Sequence, residues 1–205
     1  MFRVKRTSVT AGIAVAAAIA GLSYVRIGTE VPLASAQSKA QAALVEFTTD
    51  GKLKQPSHDY RKWVQIGTPL TPNDLNGGDA PFPEFHSVYM DPESFAYYEK
   101  TGQFRDGTVM VKELLSVGAK EATSGKGYFM GEFTGLEISI KDSKRFKDDP
   151  GNWAYFSFGH KYPLKAEASK NAVASCNQCH QDNAKTDWVF SQYYPVLRAA
   201  APRSK

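Results

Sequence analysis

Near its C-terminal end the chain reads Cys176-Asn177-Gln178-Cys179-His180, and these are its only two cysteines. Two thiols three residues apart, followed directly by an imidazole, can add to the two vinyl groups of a haem while the imidazole ligates the iron. The same thiols could instead form a redox pair or half of a zinc site. A redox pair ordinarily opens a helix after a strand in a βαβ pattern, whereas residues 166–174 read as helix and no parallel-sheet pattern precedes them. Zinc would need further soft ligands, and there is no third cysteine. The spacing therefore predicts one haem c per chain, bound covalently by Cys176 and Cys179, with His180 on the metal.

Position narrows the kind of haem protein. Only 25 residues follow His180 and they include neither Met nor His, which excludes the small electron carrier with a downstream methionine ligand. A sixth ligand would have to come from Met90, Met110, Met130, His58, His86 or His160. Methionines on apolar strand faces read as core packing, and His86 and His160 read as structural histidines. An iron left open on one side binds small molecules, the mark of a gas-binding or catalytic site rather than a pure electron relay.

The elements that must position this motif follow a signal for export. Arg3, Lys5 and Arg6 precede a 14-residue apolar run over residues 9–22, and Ala34-Ser35-Ala36 offers a cleavage site. Residues 1–36 thus read as a signal peptide, with an uncleaved anchor as the alternative, and residues 37–205 as one domain outside the cytoplasm, in the periplasm. The whole chain carries a net charge of +4; removing residues 1–36 takes away four cations and one anion and leaves +1. A near-neutral chain without a clustered basic stripe is not built to hold a nucleic acid. The 169 remaining residues suffice for a self-sufficient core.

Along the domain, Ser57 is placed to cap a helix with Tyr60, Trp63 and Val64 on its apolar side and Gly67 at its end. Residues 68–83 hold four prolines and Gly77-Gly78, and read as a long loop. Asp91-Pro92 starts a second helix that runs through Phe95 and Tyr98 to Gly102. Residues 108–117, 128–140 and 153–158 are rich in β-branched and aromatic types and predict an antiparallel sheet. In the first strand Met110, Lys112 and Leu114 share a face; in the second, Phe129, Phe133 and Glu137 share one. Each strand thus places one ionisable residue among apolar ones. Ser124-Gly125-Lys126-Gly127 reads as a plain turn, and Pro195 as the bend or end of a helix after the haem motif. Residues 141–147 are basic on one side, by default a solvated face, with attraction of an acidic redox partner as the alternative. The fold class expected is α+β: a single domain with a central antiparallel sheet, flanking helices and a C-terminal haem-binding helix.

The segments Gly107-Thr108-Val109-Met110-Val111-Lys112-Glu113-Leu114, Lys141-Asp142-Ser143-Lys144-Arg145-Phe146, Pro150-Gly151-Asn152-Trp153-Ala154-Tyr155-Phe156 and the terminal stretch 176–197 resemble the cytochrome P-460 family. The resemblance extends over about residues 60–200 and involves several segments in one order. It implies an exported mono-haem protein with a mainly antiparallel β fold, commonly a homodimer. It also implies oxidation of hydroxylamine at a five-coordinate iron to nitrous oxide or nitrite-level products, with electrons passed to an acceptor such as a soluble c-type cytochrome. A sister group, the beta form of cytochrome c-prime, binds nitric oxide and carbon monoxide without that activity and is the alternative.

The resemblance further implies that a lysine, here Lys112, forms an additional covalent bond to the haem edge. An ammonium among apolar neighbours is costly to bury unless partnered or modified, although an edge-strand lysine can also snorkel to water. Glu137 is the matching candidate proton acceptor for a substrate that loses protons as it is oxidised, the alternative being a solvated carboxylate. Apolar neighbours such as Phe133 are expected to raise its pKa.

Overall fold

The computed structural model describes residues 44–202, so the expected signal peptide lies outside the described residues. In chain order the elements are β1 (Leu53–Lys54), β2 (Val64–Gly67), β3 (Phe85–Met90), α1 (Pro92–Thr101), β4 (Val109–Val117), β5 (Glu121–Ala122), β6 (Gly125–Lys126), β7 (Met130–Lys141), β8 (Trp153–Gly159), β9 (Glu167–Ala168), α2 (Cys176–Asn183) and α3 (Pro195–Ala200). A five-stranded antiparallel sheet in the order β2-β3-β4-β7-β8 forms the body of an α+β domain. This is the expected class, with the C-x-x-C-H segment on a helix toward the C-terminus.

The sheet is covered on both faces, which is why its central strands are so apolar. Val109, Val111, Ile138, Ile140, Phe156 and Phe158 face Leu53 and Tyr60 on one side. Met90, Met110, Trp153 and Tyr155 face α1, α3 and the segment around Val189 on the other. Complete removal of such side chains from water stabilises the fold by about 1.5–3 kcal/mol each.

Helix α1 begins as its sequence dictates. Asp91 accepts from the Ser94 backbone N–H at 2.9 Å, Pro92 occupies the first turn, and Gly102 closes the helix. The other oxygen of Asp91 accepts from the Val109 N–H at 2.9 Å, so the cap also fixes the start of β4, and Arg105 covers the buried carboxylate. One residue thereby ties the helix to the strand that carries Lys112.

The N-terminal helix expectation is overturned. Ser57 caps only a five-residue 3-10 turn, His58–Lys62, and Val64–Gly67 is an edge strand paired with β3. Tyr60 meets its fully buried demand inside that single turn by donating from its hydroxyl to Glu113 at 2.8 Å. The residues upstream of the haem motif also differ from the helix expected: residues 167–168 form β9 and Lys170 bridges to Phe156. Pro195 opens α3 rather than ending a helix, its missing N–H costing nothing at that position. Ser124-Gly125-Lys126-Gly127 lies in the β5–β6 hairpin, as a turn should.

Two departures concern the strands themselves. Glu113 is a second ionisable residue on β4, buried on the face opposite Lys112, where Arg61 and Tyr60 neutralise and satisfy it. The β4–β7 register skips a residue, with Leu114 opposite Gly135 but Leu115 opposite Phe133. This bulge turns Phe133 away from Glu137 and onto the Glu113 side, where Arg61 stacks over its ring at 4.2 Å. Phe133 therefore is not the neighbour that sets the Glu137 environment.

Candidate functional site

Helix α2 is seated on the sheet by one buried side chain. Asn177, between the two cysteines, donates from its amide to the Trp153 carbonyl at 2.7 Å. Its burial leaves Cys176 and Cys179, one helical turn apart on neighbouring positions of the surface, as free thiols. Asn171 donates to the Cys176 sulfur at 3.2 Å, fixing the first thiol from the segment before the helix.

His180 is oriented with equal care. Its Nδ1–H donates to the Trp188 carbonyl at 2.7 Å, which commits the tautomer and leaves the Nε2 lone pair available to a metal. Tyr155 and Phe190 flank the imidazole, with ring centroids 4.4 and 4.6 Å away. Burial pushes its pKa down, opposed by the bond to Trp188, so the neutral form that binds metals is favoured. Trp188 and Asp187 hold left-handed backbone conformations, at φ 58° and 45°. That turn is pinned from two sides. Lys141 binds both oxygens of Asp187 at 2.7–2.8 Å, and the Trp188 ring lies where a side chain on Gly151 would sit 2.4 Å from it. Lys141 therefore turns inward to hold the His180 acceptor in place and is no part of a basic docking face.

The same face of the sheet carries the second half of the site. Lys112 and Glu137 stand directly opposite each other on β4 and β7, and their side chains form an ion pair. His160 Nε2 meets the other Glu137 oxygen at 3.0 Å. Phe82, from the proline-rich loop, covers the Lys112 ammonium at 4.8 Å and has both His86 and His160 about 5.9 Å from its ring. Lys112 and Glu137 lie near enough to His180 for their charges to act on its imidazole.

The electrostatics of Glu137 differ from expectation. Burial raises its pKa, but the Lys112 ammonium and His160 outweigh burial and the net shift is downward. Half-buried His86, whose buried Nε2 has no hydrogen-bond partner among the described residues, is held neutral, its pKa lowered to about 4 by loss of solvation and then by Lys112. The sequence marks His160 only as a structural histidine, whereas the structure brings it to Glu137. Its contact with Glu137 depends on a bulge and a turn that leave no periodic trace, and the only sequence signal was an imidazole directly after Gly159.

The residues present fit a covalently held haem. Two unpaired thiols and an imidazole with one nitrogen committed to a carbonyl share a short helix, and His86 leaves a buried polar atom unpartnered on the same face of the sheet. An antiparallel sheet bearing a C-x-x-C-H helix on one face defines a cytochrome whose scaffold is a sheet and not a helical bundle. The family model described as Cytochrome P460 matches residues 57–191, and the chain belongs to that family of haem-binding, iron-containing cytochromes. No curated protein matches the chain.

Proposed function

We propose that the chain is a haem c enzyme that oxidises hydroxylamine to nitrous oxide or nitrite-level products. In this reading Cys176 and Cys179 would form the thioether links, His180 would ligate the iron, and Lys112 Nζ would be bonded to the haem edge. The reading adds that the mature chain works in the periplasm as a homodimer and passes electrons to a soluble acceptor such as a c-type cytochrome. The observation that carries it is the in-register pairing of Lys112 with Glu137 on the sheet face that also holds His180.

When bound, the haem would supply an iron able to take a small nitrogen ligand and accept its electrons. The chain's own residues have two tasks. His180, its ring fixed by Trp188, Tyr155 and Phe190, would hold the iron. Glu137 accepts protons that leave the substrate as it is oxidised, a contribution of typically 10²–10⁴-fold for a well-placed base. A Lys112 nitrogen tied to the haem edge no longer carries an ammonium beside Glu137. Burial, which raises the pKa of that carboxylate, is then opposed by His160 alone.

A second reading has its own support. Both Glu137 oxygens are engaged, by Lys112 and by His160. With Lys112 left as a free ammonium, Glu137 stays a paired anion and a poor base. The site then suits a nitric-oxide- or carbon-monoxide-binding cytochrome of the c-prime beta type.

Acid-acetone extraction, haem-peptide mass and hydroxylamine turnover with an artificial oxidant separate these readings. Colour retained on the denatured chain, a peptide joined to Lys112 and consumption of hydroxylamine are expected. A wild-type haem peptide with only two thioether links, together with nitric oxide binding and no turnover, would establish the second reading instead.

A further inference from the structure

We propose that His160 is the route by which Glu137 returns its protons to solvent, an inference that rests on the reading of Glu137 as proton acceptor. Each Glu137 oxygen has one partner: Oε2 pairs with Lys112 and Oε1 meets His160 Nε2 at 3.0 Å. In the underlying reading Lys112 Nζ is tied to the haem edge and cannot swing out to solvent, and its side chain is the less exposed of the two partners, 26% against 42%. His86, the other titratable group facing this cluster, has its Nε2 buried and unpartnered among the described residues. His160 is the more solvent-exposed partner and joins the carboxyl to water: its side chain is 42% exposed while that of Glu137 is 22% exposed.

The local backbone is shaped to make this contact. Along β7 and β8, Leu136 pairs with Gly159 but Glu137 pairs with Ser157, a bulge that takes up Phe158. Gly159 then adopts φ 114°, which a side chain would oppose, and turns the chain so that His160 comes back over Glu137. On the facing strand Gly135 has no Cβ for the same reason: one there would lie 2.6 Å from the Gly159 carbonyl and 3.0 Å from the His160 Cα. A bulge and two glycines thus serve one imidazole.

The transfer is balanced without electron movement. The proton on the Glu137 carboxyl passes to His160 Nε2, the Nδ1 proton leaves to water, and the carboxylate is regenerated for the next proton from substrate. The imidazole resets by exchange with solvent. His160 acts through Glu137 and is a positioning and relay residue, not one that touches the reacting atoms.

The test uses the haem-loaded protein and its His160→Gln and His160→Ala variants. In both, kcat for hydroxylamine oxidation should fall roughly tenfold or more with KM within about twofold of wild type. Added imidazole should restore turnover in His160→Ala and leave wild type unchanged, which a merely structural role would not produce. A readout independent of turnover is the ¹⁵N spectrum of histidine side chains in the reduced, carbon-monoxide-bound protein. Glu137→Gln should move the His160 nitrogens and leave those of exposed His58 in place. Should His160→Ala not fold, Gly135→Ala displaces the same imidazole and should lower kcat likewise. Wild-type turnover in the variants, or His160 signals indifferent to Glu137→Gln, would overturn the relay while leaving Glu137 as base. Absence of hydroxylamine turnover in wild type would remove the underlying reading and the relay with it.

Discussion

Lys112 and Glu137 face each other across β4 and β7 as an ion pair, while Glu113, the next residue along β4, points through the sheet to Tyr60 and Arg61. Adjacent residues of one strand thus serve opposite faces, one a site and the other a buried anchor. The two are linked: the register that seats Glu113 against its partners also sets Lys112 opposite Glu137. A slip of one residue would exchange the two roles.

A bond from Lys112 to the haem edge alters the ring's electronics, and the reduced protein should then absorb far to the red of an ordinary c-type haem. Lys112→Ala should restore the ordinary spectrum while both thioether links persist in the haem peptide. An unchanged spectrum in that variant would show that Lys112 is an ordinary strand lysine.

Asp91 is the most heavily used structural carboxylate near the site, accepting from Ser94, Val109 and Arg105 while fully buried. Asp91→Ala removes a helix cap and the acceptor of the Val109 N–H, and leaves the buried Arg105 guanidinium with only Ser94 and the exposed Glu93. The expected loss is about 3–5 kcal/mol, the range found when one partner of a buried pair is removed. Urea unfolding measures it. Glu93, exposed and bound to the same guanidinium, should matter far less when changed to Ala.

The parts of this architecture legible in the sequence are those written in local spacing. Asp91-Pro92 and Gly102 marked α1 because caps are local, and the three long strands showed in their β-branched and aromatic runs. Cys176, Cys179 and His180 stand out because their spacing is local, and the structure places all three on one short helix. Strand β2 was misread because Tyr60, Trp63, Val64 and Gly67 happen to fall at helical intervals. Strand β3, with His86, Ser87 and Tyr89 among its six residues, shows too little apolar contrast to declare itself. Phe133 and His160 exchanged importance because a bulge shifts every residue beyond it to the other face, and nothing in residue type records where the bulge falls.

His86 gives stability a defined pH dependence. Its folded pKa is about 4 against an ordinary 6.5, so between these values the unfolded chain binds a proton that the folded chain refuses. Stability should therefore fall as pH drops from 6.5 toward 4 and rise again with pH, with no further contribution from this group below 4. The full shift is worth about 3 kcal/mol. Urea unfolding across that window should show a shallower slope for His86→Asn than for wild type. Equal slopes would mean that His86 is not held neutral in the folded protein.

Glu137→Gln separates binding from chemistry. The amide keeps the size of the side chain and can still accept from Lys112 or His160, so the fold and the access of small molecules to the iron should persist. What it loses is the capacity to hold a proton taken from substrate. Hydroxylamine oxidation should slow by roughly 10²-fold or more, as for loss of a general base, while hydroxylamine still perturbs the optical spectrum at similar concentrations. The rate should not recover at any pH, because an amide has no carboxylate form to regenerate. A variant as fast as wild type would show that the protons leave by another group, and the pairing of Glu137 with Lys112 would then be structural alone.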